Sequence, residues 1–418
     1  MITISKVKES HFVKSVFLVV TGALGAQLVS LISSPIITRL FNPDTLGALT
    51  SFTSLVLAIG PVLALTLPTA AVLPRNSGRA SEILRISFFI MIINTLLLYS
   101  VINLIFDNVN SLSEISEYSS YVVFSCFFYG LLQGYIQYKT RSEEFKHLAK
   151  VTFSQSILNN SGKIIVGIIS ASSHLLIFTS SIVYFIISAL SFKTYANVLS
   201  RRWNIKYSAL VLLKYKDFIF YRTPEVLVNG LSQLLPIIFL THFFSLWDVG
   251  QYGLARSILG IPVVIIGKAV GDVFYSKGAK YKENDKVSVL LRNSIIALSF
   301  IGLIPFSIIF VFGEELFVLI FGEQWGAAGI FGAWISIWMF SGLVIKPIVS
   351  MVAIIQEQRF YFFYSLLSLS VKVIMVYWVA YYYQDVNVFI SAYCLICSIS
   401  NLILAFIIYG KAKRRWNK

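Results

Sequence analysis

Long apolar runs separated by short polar stretches recur along the whole chain. At about 20 residues per bilayer crossing, runs of helical length fall at about 14–38, 46–67, 83–106, 118–138, 149–171, 175–197, 218–244, 249–275, 290–312, 328–355, 361–383 and 387–409. This pattern predicts about twelve transmembrane helices. Lipid offers backbone groups no hydrogen-bond partner, so a span must be a helix or part of a closed barrel, and the alternating pattern of a membrane barrel is absent. The expected fold class is an all-α integral membrane protein.

Composition narrows the class further. Of 418 residues, 57% are apolar and 13% charged, against about half and a quarter in a soluble domain. A soluble enzyme with a membrane tether is excluded. Every connection is short, the longest being the basic stretch at 198–217, so function must lie within the helix bundle. The basic N-terminal stretch MITISKVKESHFVKS leads into an apolar run without a small-residue cleavage motif, which predicts a retained first span and no targeting peptide.

The net charge of +15 follows topology. The N-terminus, the even-numbered loops and the tail KAKRRWNK, with the span ends beside them, carry 28 of the 34 bases and 8 of the 19 acids. The odd-numbered loops carry Asp44, Asp107, Glu114, Glu117, Asp248, Glu314, Glu315, Glu323 and Asp385 but only one base, Arg39. Bases concentrate on the cytoplasmic side, so both termini are expected there, and a nucleic-acid partner loses its support.

An internal repeat is visible. SSPIITRLFNPDTLGALTSFTSLV near the first loop has a counterpart in QLLPIIFLTHFFSLWDVGQYGLARSIL near the seventh, with Gly47 and Gly250 203 positions apart. The spacing predicts two six-span lobes of the same topology, 1–200 and 218–418, joined by a cytoplasmic basic linker at 201–217. Pro35 and Pro236 sit late in spans 1 and 7, where proline bends a helix; the bend is either a static kink or a flexing point. Gly22, Ala26, Ser30 and Ser34 form a small-residue stripe expected to serve close helix packing.

Candidate chemistry lies in cations within the spans. Lys163, Arg256, Lys346 and Lys372, with Arg39 at the outer end of span 1, are the candidate anion-binding positions. A cation at mid-bilayer costs about 2.5–3.5 kcal/mol and normally faces water or a partner. Lys163, Lys346 and Lys372 have no acid three or four residues away, whereas Lys268 has Asp272 at four and reads as a local ion pair. Glu225, near Arg222, and Asp272 are the candidate titrating acids. A net-positive cavity suits a phosphate or pyrophosphate headgroup. Asn159, Asn160, Asn229 and Gln233 are polar positions that could bond sugar hydroxyls or hold helices together.

Other chemistries find no support. Cys394 and Cys397 form a CxxC inside an apolar run and read as packing residues. GIPVVIIGKA from Gly260 lacks the spacing and the Ser or Thr of a phosphate loop. His11, His147, His174 and His242 are scattered, so neither a metal site nor a nucleophile–base pair is indicated, and the chain is not expected to be an enzyme.

PIITRLFNPDTLG, YGLLQGYIQYKTRSEEFKHLAK, LVNGLSQLLPIIFLTHFFSLWDVGQYGLARSILGIPVVIIG and FGEQWGAAG resemble bacterial polysaccharide-unit (O-antigen/capsule) flippases, the Wzx-like proteins of the multidrug/oligosaccharidyl-lipid/polysaccharide exporter superfamily. Leu46 stands where an aromatic is common. The resemblance implies two six-helix lobes around a central cavity in the bacterial inner membrane. The implied cargo is an undecaprenyl-pyrophosphate-linked oligosaccharide moved to the outer leaflet by alternating access. It further implies cationic cavity residues, which Arg39, Lys163, Arg256, Lys346 and Lys372 could supply, and no cofactor beyond a coupling ion, H+ or Na+. Implied partners are the lipid-linked oligosaccharide, membrane lipid, and a polysaccharide polymerase with its chain-length regulator. The alternatives are a drug or cation exporter of the same superfamily, disfavoured by the scarcity of membrane acids, and a membrane-embedded polysaccharide polymerase, disfavoured by the short outer loops.

Overall fold

The computed structural model describes the backbone of residues 2–74, 76–108, 117–200, 202–278, 284–355 and 357–416, and the side chains among these from residue 21 onward except 105–108, 268, 269, 272, 273, 275–278, 284–286, 353, 415 and 416. Every regular element there is helical. In chain order these are α1 (Ile2–Leu40), α2 (Pro43–Ile59), α3 (Leu67–Ala70), α4 (Ser77–Asn108), α5 (Ser119–Arg141), α6 (Phe145–Ile169), α7 (Ser173–Leu199) and α8 (Ile205–Lys214). They continue as α9 (Thr223–Phe243), α10 (Leu246–Gly278), α11 (Asn284–Phe321), α12 (Gly326–Val344), α13 (Lys346–Ile354), α14 (Gln358–Tyr383) and α15 (Val386–Trp416).

Among the described residues ten helical segments are long and apolar enough to cross a membrane, and the chain is a multi-pass membrane protein. α5 and α6, at 23 and 25 residues, fall on the expected fourth and fifth spans and are long enough to cross, but they are more polar. Two expected spans are interrupted. The one at 46–67 leaves the α-helix at Ile59, where Gly60 and Pro61 open a 3-10 turn, and Leu65 and Thr66 take left-handed φ of 49°. The one at 328–355 breaks at Ile345, because Pro347 has no N–H to return to the Leu343 carbonyl, although the Ile345 N–H still makes the regular helical bond to the Ser341 carbonyl at 3.1 Å. The expected outer loop after residue 312 is largely helical, with α11 continuing past a kink at Phe312 to Phe321.

The chain divides into two compact units, 1–41 with 48–237, and 42–47 with 238–418. The division falls inside α9 rather than at a linker before residue 218. The first part of α9 is tied into the first unit: the Thr223 hydroxyl lies 3.1 Å from that of Thr66, and Gly230 packs so closely on α2 that a Cβ there would stand 3.2 Å from Ala58 Cα. Most of the expected linker is helix α8, begun by the Asn204 side chain accepting the Tyr207 N–H, which satisfies a donor that a helix start leaves open.

In the first unit α1 and α6 run side by side. The small-residue stripe lines this contact: Gly22 lies against Ala149, where a Cβ would come within 2.8 Å of the Ala149 Cα, and the Ala26 carbonyl accepts the Ser156 hydroxyl at 2.7 Å. In the second unit α12 packs between α10, α11 and α15. Gln251 of α10, fully buried, donates to the Gln324 carbonyl at 2.6 Å and accepts the Ala328 N–H at 2.8 Å. That single side chain joins the LWDVGQYG and FGEQWGAAG segments.

Candidate functional site

Two helices of the second unit each bring a cation into electrostatic range of Cys397. α10 places Tyr252 and Arg256 one turn apart, with the guanidinium 6.0 Å from the tyrosine ring centroid, a cation–π distance. α14 supplies Lys372. α15 presents buried Tyr393, Cys394 and Cys397, with the Tyr393 ring edge-on to Trp338 of α12 at 5.4 Å. Arg256 and Lys372 both come within electrostatic reach of Cys397. The CxxC pair consists of free, buried thiols.

Lys346 opens α13 directly after the break in the tenth span. Its stem lies against Gly267 of α10, where a Cβ would stand 2.9 Å from Lys346 Cγ; the glycine leaves the room the lysine uses. One turn on, a Cβ at Gly271 would stand 3.2 Å from Ser350 Oγ. On the far side of α12, Asn401 of α15 donates to the Ser341 hydroxyl at 2.9 Å. Asn401 was not among the expected polar positions, because a single Asn in an apolar run carries no positional signal.

The first unit holds the other two expected cations. Lys163 is half-buried on α6 and Arg39 is exposed in the last turn of α1. Among the described residues neither Lys163 nor Lys346 has a carboxylate within ion-pair distance. Each unit therefore carries a half-buried lysine, Lys163 on α6 and Lys346 at the start of the short helix α13, that ion pairing among the described residues does not explain.

The polar positions separate into different roles. Asn160 is buried and donates to Ser30 Oγ at 3.1 Å and to the Ser156 carbonyl at 2.8 Å, so its amide works in the α1–α6 contact. Asn159 and Asn229 are half-buried and Gln233 is exposed. Glu225 accepts both bonds of the Arg222 guanidinium at 2.9 Å. The side chain of Asp272 lies outside the described residues.

One charged pair escaped the sequence reading. Glu82 and Arg85, at the start of α4, are 7% and 2% exposed and form an ion pair of 3.1 Å. Arg85 also donates to the Val198 carbonyl at 2.6 Å, and Glu82 accepts the Ser208 hydroxyl of α8. The signal was present as an i, i+3 Glu–Arg pair, but its place at a span end made it look like loop charge.

Solved structures share this fold. The lipid II flippase MurJ in an inward closed conformation superposes with a TM-score of 0.75 at 11% identity, over 94% of this chain and 87% of that one. An inward-facing multidrug resistance MATE family transporter of the MOP superfamily gives 0.63 at 12%, with 94% of each chain covered. A MOP superfamily transporter from Pyrococcus furiosus, described by the reverse polarity of its binding pocket, gives 0.59 at 14%, over 97% of this chain and 96% of that one. No protein of curated function matches the chain in sequence. A family model described as polysaccharide biosynthesis protein matches residues 75–329, more than half of the 418 residues, and with an all-helical fold of the MOP type beneath that match, the chain belongs to the polysaccharide biosynthesis protein family.

Proposed function

We propose that the protein is a flippase that carries undecaprenyl-pyrophosphate-linked oligosaccharide repeat units from the cytoplasmic to the outer leaflet of the bacterial inner membrane, by alternating access. The polymer served is O-antigen or capsule. The observation that carries the proposal is the pair of half-buried lysines, Lys163 in the first unit and Lys346 in the second, without ion-pair carboxylates among the described residues. A partly buried lysine without a carboxylate partner is stabilised when it meets an anion, and the pyrophosphate is the anionic part of such a cargo. Arg256 and Lys372 add a second cationic locus, and Arg39 a further cation at the end of α1. Half-buried Asn159 and Asn229, with Gln233, supply amides for sugar hydroxyls. Membership in a polysaccharide biosynthesis family supports a glycan cargo, and the likeness to a lipid II flippase supports a lipid-linked one.

Coupling to an H+ or Na+ gradient is part of the proposal, with Glu225 and Asp272 as the titrating acids, and the polymerase with its chain-length regulator are the expected protein partners. A drug-cation exporter suits the interior charge less well, since bases there outnumber acids. A polymerase would need an outer loop large enough to hold an acceptor glycan.

The test is complementation in a deletion strain, reading surface polysaccharide and the leaflet that holds the repeat unit. Single units trapped in the cytoplasmic leaflet, rescued by the wild type and not by Lys346→Ala/Lys372→Ala, are expected. Units that reach the outer leaflet but stay unpolymerised would contradict the flippase and point to the polymerase.

A further inference from the structure

Helix α8 has two faces with different fates. Val211 and Tyr215 turn inward onto Leu67, Ala70, Ala71 and Ile83, and Ser208 is held by Glu82 of the buried ion pair. The opposite face is apolar and uncovered: Ile205 is 72% exposed, Leu210 65% and Leu213 64%. In water three such residues on a ten-residue helix would be costly, with each large side chain left exposed forgoing about 1.5–3 kcal/mol of burial.

The surface beside this face identifies its occupant. Trp203, just before the helix, stacks on Phe89 of α4 with ring centroids 5.0 Å apart and planes 4° from parallel. Phe89 begins the exposed apolar stripe of α4 that continues through Ile93, Leu96 and Leu97, on a helix long and apolar enough to cross a membrane. Trp203 also donates to the Ser208 hydroxyl at 2.9 Å, so it ties the start of α8 to the exposed apolar stripe of α4. Around it Arg202, Lys206, Lys214 and Lys216 are all exposed, and the sequence holds no acid from residue 145 to 216. An exposed face of Ile205, Leu210 and Leu213 that carries Lys206 in its first turn, with Lys214 and Lys216 beside it and a tryptophan before the helix, has the composition of a helix lying in a headgroup layer.

We infer that α8 is a membrane-surface helix that binds the phosphates of anionic phospholipids in the cytoplasmic leaflet, with Ile205, Leu210 and Leu213 among the upper acyl chains and Lys206, Lys214 and Lys216 reaching the headgroups. The side follows from the distribution of bases along the chain, and the inference does not depend on which molecule the protein carries. The Ser208–Glu82–Arg85 chain holds α8 to the start of α4, so the headgroup contact fixes the edge of the first unit.

The test places a nitroxide at Leu210→Cys in the full-length protein, whose native thiols are buried, and measures its accessibility to oxygen and to a water-soluble nickel chelate. Vesicles of phosphatidylcholine are compared with vesicles containing phosphatidylglycerol. Oxygen should be favoured over nickel in the anionic vesicles, and the preference should be lost in phosphatidylcholine alone and in Lys206→Gln/Lys214→Gln/Lys216→Gln. Each charge removed weakens attraction to an anionic surface about fivefold. The triple Lys→Arg variant, which keeps the charge, should retain the preference and guards against misfolding. An oxygen preference that is the same in both lipids and in the Gln variant would overturn headgroup recognition, and nickel access in both lipids would overturn membrane seating altogether.

Discussion

Gly47 and Gly250 pack against each other's helix start in a reciprocal contact. A Cβ on Gly47 would run into the Leu246 carbonyl and stand 3.1 Å from the Gly250 nitrogen, while one on Gly250 would run into the Pro43 carbonyl and stand 3.2 Å from the Gly47 nitrogen. Leu246 follows Pro43 by the same 203 positions that separate the glycines. The helix caps keep that offset, since Asn42 Oδ1 accepts the Thr45 N–H at 2.9 Å and Ser245 Oγ the Asp248 N–H at 3.2 Å. The repeat read from sequence thus returns as a local two-fold crossing inside the second unit, with Asp44 and Asp248 within electrostatic range of each other.

Substituting either glycine by alanine forces backbone apart, because the obstructing atoms are carbonyls and not flexible side chains. Gly47→Ala and Gly250→Ala should each lower the melting temperature in detergent by an amount equivalent to about 1–3 kcal/mol. The double variant should lose less than the sum, since both disturb one contact. Additive losses would show that the glycines act separately.

Asn160 tests the division between helix glue and cargo contact. Asn160→Ala should cost about 0.6–1.7 kcal/mol, the span of interhelical polar contacts in membranes, and leave transport per folded molecule near the wild-type rate. A thermal melt paired with a transport assay checks both. Wild-type stability with lost transport would return Asn160 to the cargo path.

The buried Glu82–Arg85 pair should be among the most sensitive charged positions in the first unit. Glu82→Gln or Arg85→Gln leaves the partner charge buried, at an expected cost of about 3–5 kcal/mol. Glu82→Gln combined with Arg85→Gln should recover part of the loss, as measured by melting of the purified protein.

Gly267 carries a different expectation. The Cβ of Gly267→Ala would meet the flexible stem of Lys346 at 2.9 Å and come into ordinary contact with Leu343 Cδ1 at 3.4 Å, and the lysine stem can swing away at small cost. The melt should stay close to wild type while transport falls, because the ammonium is displaced from its place after the α12–α13 break.

These residues show which parts of the molecule were legible in the sequence. The helical class and the Gly47/Gly250 offset were, since apolar run length and repeated spacing survive without any knowledge of packing. The stripe from Gly22 to Ser34 foretold close helix packing for the same reason, though not that the partner would be α6. The break at Ile345 was missed, although Pro347 stood in the sequence, because apolar continuity masks a lost hydrogen bond. That Arg256 and Lys372 both come within electrostatic range of Cys397 could not be read, because those residues come from three helices whose rotations depend on packing between distant segments. Helix α8 lay hidden in a stretch expected to be a basic linker, as one turn of buried side chains, Ser208 and Val211, is too short a pattern to stand out among lysines.

The central claim is that half-buried lysines carry an anionic lipid-linked glycan across the membrane. Its most direct test is a leaflet assay in proteoliposomes loaded with an undecaprenyl-pyrophosphate-linked oligosaccharide, using an external probe that modifies only outward-facing sugars. Wild-type protein should render the inner-leaflet pool accessible, and Lys163→Ala/Lys346→Ala should slow that step about tenfold or more, the loss expected when a charged contact worth about 1.5–3 kcal/mol is removed. An inner pool that stays protected with wild-type protein, or one exposed at the same rate by the folded double variant, would contradict the account.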